Sequence, residues 1–347
     1  MTTATHFCVD IWDMSNVAEA SVTSPVGTTP VGSRVLSIQS HTVHGYVGNK
    51  SAVFPLQLLG FDVDPVNSVQ FSNHTGYGSF TGQVLGGEEL TSLVQGLENN
   101  SLLQGYTHML TGYIGSETFL RAVLDTVRKI KKHNPDLIYM CDPVLGDNGR
   151  LYVPEDLVRV YRDEVVPCAT MLTPNQFECE LLTGIKISTP ADAIRACDCL
   201  HAKGVKIVLL TSLEYSGNAH EEGDELVLFV SKLSTFTDAS AETRSTQTET
   251  YDLHIKKLDG YFTGTGDLIA STFLAWSTRY PENLPLALEM SVATVQGVLQ
   301  NTMEYARAHP SRAGHKAPPE LRLVQSKSCI ESPTVVTRAN TITRDTA

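Results

Sequence analysis

The sequence predicts an α/β protein with a mostly parallel central sheet, helices on both faces and antiparallel strands at an edge. Three observations carry this. Short apolar runs such as LIYMC (137–141) and VKIVLLT (205–211) read as strands buried on both faces. Helical patterns separate such runs, and strands alternating with helices define βαβ units. The runs end on polar residues, where an open parallel sheet presents its ligand crevice.

In order, RVLSIQ (34–39) is a strand ending at the polar Ser40. Residues 49–59 form a helix in which Pro55 marks a kink or a fresh start. Strands follow at 61–69 and 106–111, with a helix at 88–98 between them. In 116–132, Phe119, Leu120, Val123, Leu124, Val127 and Ile130 share one helical face. Beyond 137–141 come a helix at 155–162, a strand at 168–172, and helices at 175–183 and 190–203. After 211 the alternation stops. LVLFV (226–230) and YDLHIKKL (251–258) read as adjacent, antiparallel strands. The polar, Thr-rich residues 234–250 between them have little to bury and read as a mobile loop. Helices at 266–279 and 284–308, a linker at 309–320 and a last strand at LRLVQS (321–326) complete the domain.

Of the 347 residues, 41% are hydrophobic and 18% charged, enough apolar material for one large core. Lys and Arg number 26 against 38 Asp and Glu, a formal charge of −12. That balance argues against nucleic-acid or anionic-membrane partners. No uncharged apolar stretch reaches the ~20 residues of a membrane-spanning helix. The seven cysteines are odd in number, widely spaced and lack a CxxC pair, which points to a reducing, cytoplasmic setting without a disulfide framework or zinc site. Residues 1–33 hold no Lys or Arg and end in a stretch rich in Ser, Thr, Pro and Gly. They read as a disordered extension, followed by one domain over 34–331 and a frayed tail at 332–347.

The segment most informative for chemistry is Phe262-Thr263-Gly264-Thr265-Gly266-Asp267, with an apolar helix directly behind it. Unpaired N–H groups at a helix start attract anions, and glycines let a phosphate approach closely. Asp267 is then either a base beside an anion hole or a complement to the helix dipole. The segment is neither a Walker A loop nor a GxGxxG dinucleotide turn. A second group lies at strand ends: Asp142 and Asp147, then Thr173, Asn175 and Glu178, then Thr211 and Ser212. Such oxygen donors suit Mg²⁺, nucleotide phosphates and a monovalent cation; each also suits a cap or turn. A third group, Ser40, Phe71, Asn73, Thr75 and Tyr113, offers rings and hydroxyls to a flat, polar-edged ligand. His41, His44 and His74 lack the spacing and carboxylate partners of a metal site.

The strings RVLSIQSHTVHGYVGN, NSVQFSNHTGY, LTGY, CDPVLGD, LYVPEDL, TPNQFECELLTG and YFTGTGDL, in this order, resemble the eukaryotic pyridoxal kinases of the ribokinase-like superfamily. The resemblance runs from Arg34 to Pro333 and implies a three-layer α/β/α sandwich. It implies ATP-dependent phosphorylation of pyridoxal, and of pyridoxine and pyridoxamine, by a homodimer using Mg²⁺ and K⁺ or Na⁺. By motif, Asp267 is the catalytic base, and Gly264, Thr265 and Gly266 form the anion hole. Ser40, Thr75, Phe71 and Tyr113 contact the vitamer. Asp142 and Asp147 serve Mg-ATP; Asp142, Thr173, Glu178 and Thr211 form the monovalent-cation shell. Asn175, Thr211, Ser212, Thr265 and the Leu258-Asp259-Gly260 strand end touch the nucleotide, with Tyr152 in a flap. The polar stretch 234–250 and the short NGRL connection after Asp147 depart from the family pattern. A hydroxymethylpyrimidine kinase is the nearest rival, and a catalytically silent vitamer-binding protein the second.

Overall fold

β1 (Arg34–Thr42) runs through the middle of the molecule, paired in parallel with β2 (Asp62–Phe71) on one side and β4 (His108–Thr111) on the other. The computed structural model describes residues 27–215, 225–238, 243–258, 260–309 and 319–344. Parallel pairing continues outward from β4 through β5 (Ile138–Cys141), β8 (Met171–Leu172) and β9 (Ile207–Leu213). Antiparallel strands close both edges. β3 (Gly82–Val84) pairs with β2; β10 (Glu225–Asp238), β11 (Thr243–Lys256) and β12 (Asn340–Thr341) follow β9. The ten-stranded order is β12-β11-β10-β9-β8-β5-β4-β1-β2-β3. A separate two-stranded hairpin, β6 (Gly146–Asp147) with β7 (Arg150–Leu151), projects after β5.

Alternation along the strands divides the core into two layers. Met109, Tyr139, Cys141, Leu172, Val208 and Leu210 face one helical layer, and Leu110, Met140, Met171 and Leu209 the other. The first layer is built from α2 (Gly87–Asn99), α3 (Glu117–His133), α4 (Glu155–Val160), α5 (Gln176–Thr183) and α6 (Pro190–Ala202). The second holds α1 (Asn49–Leu58), α7 (Thr265–Arg279), α8 (Leu284–Ala308) and α9 (Lys327–Glu331). This is the expected α/β/α sandwich. The strand order turns around at β1, with β2 on one side and β4, β5, β8 and β9 on the other. The carboxyl ends of these strands therefore open a crevice there.

The structure corrects four expectations. Residues 234–238 and 243–250 belong to β10 and β11, whose backbones pair from Glu225↔Lys256 to Asp238↔Thr243. The ladder satisfies polar groups without burial, and β-branched Thr favours extended backbone, so absence of apolar residues did not mean absence of a strand. LRLVQS is not a strand: Leu321 and Leu323 are buried in the second layer, and Val324–Ser326 form a 3₁₀ turn leading into α9. The described part of the tail, residues 332–344, docks rather than frays: Arg338 pairs with Glu289 at 2.6 Å, and Arg344 pairs with Asp198 at 2.6 Å. α1 runs on through the buried Pro55, so the proline marks no fresh start. Residues 1–26 of the expected extension lie outside the described residues. Just before β1, Thr29 accepts from Arg279 Nε at 3.0 Å and donates to Leu59 O. No described helix is long and apolar enough to cross a membrane.

Candidate active site

The site is organised by the start of α7. Gly264 caps the helix with φ +81°, and a Cβ there would collide with the Tyr46 carbonyl oxygen. Only glycine meets both conditions. The first intrahelical bond to this turn is Leu268 N to Gly264 O, at 3.1 Å. The N–H groups of Thr265 and Gly266 thus precede the helical ladder, as an anion cradle requires.

Asp267 follows in the same turn. Its Oδ2 accepts the Gly48 N–H at 2.7 Å, and its own N–H also donates to the carboxylate. Enclosure of the carboxyl group pushes its pKa up, and the two N–H donors offset this only in part. Gly48 is itself a demanded glycine: φ is +55°, and a Cβ would strike Ser40 O and Oγ. Asn49 next to it is buried; it accepts from Ser37 Oγ at 2.8 Å and donates to Asn67 Oδ1 at 2.8 Å. The start of α1 therefore fixes the donor that holds Asp267.

A second carboxylate group lies beneath. Asp142, 7% exposed, follows β5 and accepts from Thr173 Oγ1 at 3.3 Å. A Cβ on Gly266 would stand 3.8 Å from Asp142 Oδ2, which sets this carboxylate directly under the cradle. Burial raises the Asp142 pKa well above the usual range, and the charges of Glu178 and Asp267 add to it. Glu178 is pushed up to about 7, chiefly by burial. It nevertheless accepts N–H groups from Leu145 at 2.8 Å, Gly146 at 3.4 Å and Asn175 at 2.9 Å. Those donors favour an anionic Glu178, so in this coupled pair the proton rests first on Asp142.

The other predicted residues fall around this centre unevenly. Ser40 lies at a bulge in β1, Phe71 ends β2 and Tyr113 follows β4, so three neighbouring strand ends supply them. Ser68 Oγ donates to Tyr113 O at 3.2 Å, joining two of these ends. Phe71 leans on Phe80 with ring centroids 5.0 Å apart. Thr75 is exposed on a turn whose His74 Nε2 lies 3.1 Å from Thr263 Oγ1. Asn73 donates to Ser79 O at 2.8 Å within its own loop. Asn175 is largely committed: Oδ1 accepts Glu178 N at 2.9 Å in a capping box, and Nδ2 donates to Gly146 O at 2.8 Å. Thr211 and Ser212 sit half-buried near the end of β9. Asp147 is exposed and accepts from Asn148 N at 2.8 Å within the β6–β7 turn. Tyr152 stands just past that hairpin, 52% exposed, within the electrostatic reach of Asp147, Tyr261 and Glu178. Past β11, Leu258 is half-buried and Gly260 exposed, and Asp259 lies outside the described residues. Sequence reasoning missed Gly48, Tyr261 and Glu320, and weighed His74 only as a metal ligand. Gly48 sits in a GN pair just before α1, which was the available signal; Glu320 offered none.

A cradle with a proton acceptor locked into its first turn suits transfer of a phosphoryl group to the hydroxyl of a small molecule. Fold and site together define a phosphotransferase of the α/β/α type. A family model described as phosphomethylpyrimidine kinase matches residues 104–311. A pyridoxal kinase of Arabidopsis thaliana is 51% identical over 307 residues, covering 88% of this chain and 94% of its own. Pyridoxal kinase from Leishmania donovani, solved with ADP and pyridoxamine, shares 34% identity at a TM-score of 0.77, covering 89% of this chain and 99% of its own. The same enzyme with ADP and pyridoxine gives 33% and 0.78, covering 90% and 100%. The chain belongs to the pyridoxal kinase family.

Proposed function

We propose that the chain transfers the γ-phosphoryl group of ATP to the 5′-hydroxymethyl group of pyridoxal, and of pyridoxine and pyridoxamine, giving pyridoxal 5′-phosphate and its analogues for vitamin B6 salvage. The observation that carries this reading is the Asp267 carboxylate, held by the Gly48 N–H in the first turn of α7. The relatives' names, and the ADP, pyridoxamine and pyridoxine bound to the solved ones, support the choice of substrates.

In this reading the alcohol attacks phosphorus in line while Asp267 takes its proton. A carboxylate with a raised pKa is a better match to that task near neutral pH than an ordinary one. The transition state is loose and anionic, so positioning and charge stabilisation dominate. The N–H groups of Gly264, Thr265 and Gly266 donate to the phosphoryl oxygens as charge gathers there. Ser40, Thr75, Phe71 and Tyr113 orient the vitamer; Asn175, Thr211, Ser212, Tyr152 and the Leu258–Gly260 segment receive the nucleotide.

The donor set fits cations. Asp142 has Glu178 and Asp267 as electrostatic neighbours, all carboxylates, and their charges add to the rise that burial gives its pKa. Among the described residues no trio of His, Cys, Asp and Glu closes into a ready-made metal cage. Mg²⁺ keeps several waters and binds through one or two carboxylates plus phosphates. Asp142 and Asp147 would hold it with ATP. Asp142, Thr173, Glu178 and Thr211 would hold K⁺ or Na⁺. When bound, these ions supply positive charge where the transferring group becomes most anionic. On the family resemblance we also read the enzyme as a cytoplasmic homodimer.

Pyridoxal-dependent release of ADP, with chromatographic detection of the phosphorylated vitamer, tests the proposal. Hydroxymethylpyrimidine should be included as a competing alcohol, because the matched family model is described as a phosphomethylpyrimidine kinase and so names a pyrimidine substrate. ATP turnover independent of any vitamer, or a clear preference for the pyrimidine, would refute it.

A further inference from the structure

Glu320, the residue before Leu321, joins three segments of the vitamer side of the crevice. Its side chain is 17% exposed. Oε2 accepts the Tyr46 N–H at 3.0 Å. Oε1 accepts the Tyr77 hydroxyl at 2.7 Å and lies 3.2 Å from His74 Nε2. His74 Nδ1 accepts the Gly76 N–H at 3.1 Å, so the proton of the neutral ring sits on Nε2. The same Nε2 lies 3.1 Å from Thr263 Oγ1, one residue before the cradle. Gly45 has φ +92°, and a Cβ there would stand 2.5 Å from Glu320 Oε2, so the backbone itself is shaped around this carboxylate. Tyr46 in turn packs its carbonyl on Gly264, and Gly48 donates to Asp267.

We propose that Glu320 is a positioning residue for the vitamer: it holds the 43–48 and 73–77 loops in register with the Gly264–Asp267 turn, so that Thr75 and Asp267 face the same ligand. The inference rests on the vitamer-kinase reading above and deepens it. The nucleotide half of the site, on α5, β8 and β9, makes none of these contacts. Loss of Glu320 should therefore act on the vitamer more than on the nucleotide.

Glu320→Gln keeps size but cannot accept on both sides: with its oxygen toward the Tyr46 N–H its NH2 faces the His74 Nε2–H, and in the reverse orientation its NH2 faces the Tyr46 N–H. Tyr77→Phe removes one donor from a half-exposed turn and serves where the first variant folds poorly. In the full chain, KM for pyridoxal should rise ~10-fold in Glu320→Gln and ~3-fold in Tyr77→Phe, while KM for ATP and ADP affinity stay within about two-fold. The double variant should fall short of the product, because the two residues share a bond. Hydrogen exchange should quicken at 43–48 and 73–77 and stay unchanged in α5 and β9. Unchanged pyridoxal KM, a parallel rise for both substrates, or unchanged exchange in the two loops would overturn the inference. Should the wild type fail to phosphorylate pyridoxal, the functional reading falls, and the exchange comparison alone decides the role of Glu320.

Discussion

Asp267→Asn separates catalysis from stability, because the structure sets opposite signs for the two. The amide can keep an oxygen toward the Gly48 N–H, now 2.7 Å from Oδ2, and Asn is a good residue for a helix start. It cannot take up the alcohol proton. Loss of a general base costs roughly 10²–10⁴ in rate, or about 2.7–5.4 kcal/mol of transition-state stabilisation. The loss should fall on kcat rather than KM, since the base acts only as the bond forms. Stability should move the other way. The folded state raises the pKa of Asp267, so the charged carboxylate is disfavoured by folding above its unfolded pKa. Removing the charge lifts that penalty, and the ligand-free variant should melt at the wild-type temperature or above it. Initial rates at saturating ATP and pyridoxal, a thermal melt and an ADP titration make up the assay. A kcat within a few-fold of wild type would reduce Asp267 to a cap and refute the mechanism. A lower melting temperature together with lost ADP binding would refute the electrostatic argument.

Other perturbations follow from the same geometry. Gly264→Ala forces a Cβ against the Tyr46 carbonyl at φ +81° and should cost ~2 kcal/mol or more of stability, with kcat reduced at least ~10²-fold; an unchanged melt would contradict the close approach. Burial holds the coupled Asp142–Glu178 pair protonated above the usual carboxyl range, to about 7 at Glu178, whereas the unfolded carboxyls release their protons at about 4, so the ligand-free protein should lose stability as pH rises through that window. Denaturant titrations of wild type and Glu178→Gln should diverge across that range, and a constant difference would refute the shift. Activity should also require a monovalent cation. Equal rates in K⁺ and in a bulky organic-cation buffer at matched ionic strength would remove Thr173, Glu178 and Thr211 from any cation shell.

Where burial drives an element, the sequence was a reliable guide. The strand cores 137–141 and 205–211 and the face of α3 were legible because apolar residues recur at the period of the structure they form. Where backbone hydrogen bonding drives it, the signal failed. The outer halves of β10 and β11 extend past β9, which pairs only with residues up to Lys232, and need no apolar side chains to form. LRLVQS failed for the converse reason. Its leucines do enter the core, but through the helical layer, where Arg322 N meets Thr302 Oγ1 at 3.0 Å and its guanidinium covers the Tyr305 ring at 3.9 Å.

The site divides along the same line. Asp142, Thr173, Glu178 and Asp267 were readable because each ends a strand or opens a helix, and chain topology alone gathers those places into one crevice. Their crowding is costly: Asp142 lies buried beside two further carboxylates. A fold selected for stability alone would replace one of them with an apolar residue or pair it with a base. Retaining all three makes sense when a bound ligand carrying cations matches their charge. Glu320 was unreadable on this logic. It ends no strand of the sheet and belongs to no motif; only the folded chain brings it to Tyr46, His74 and Tyr77.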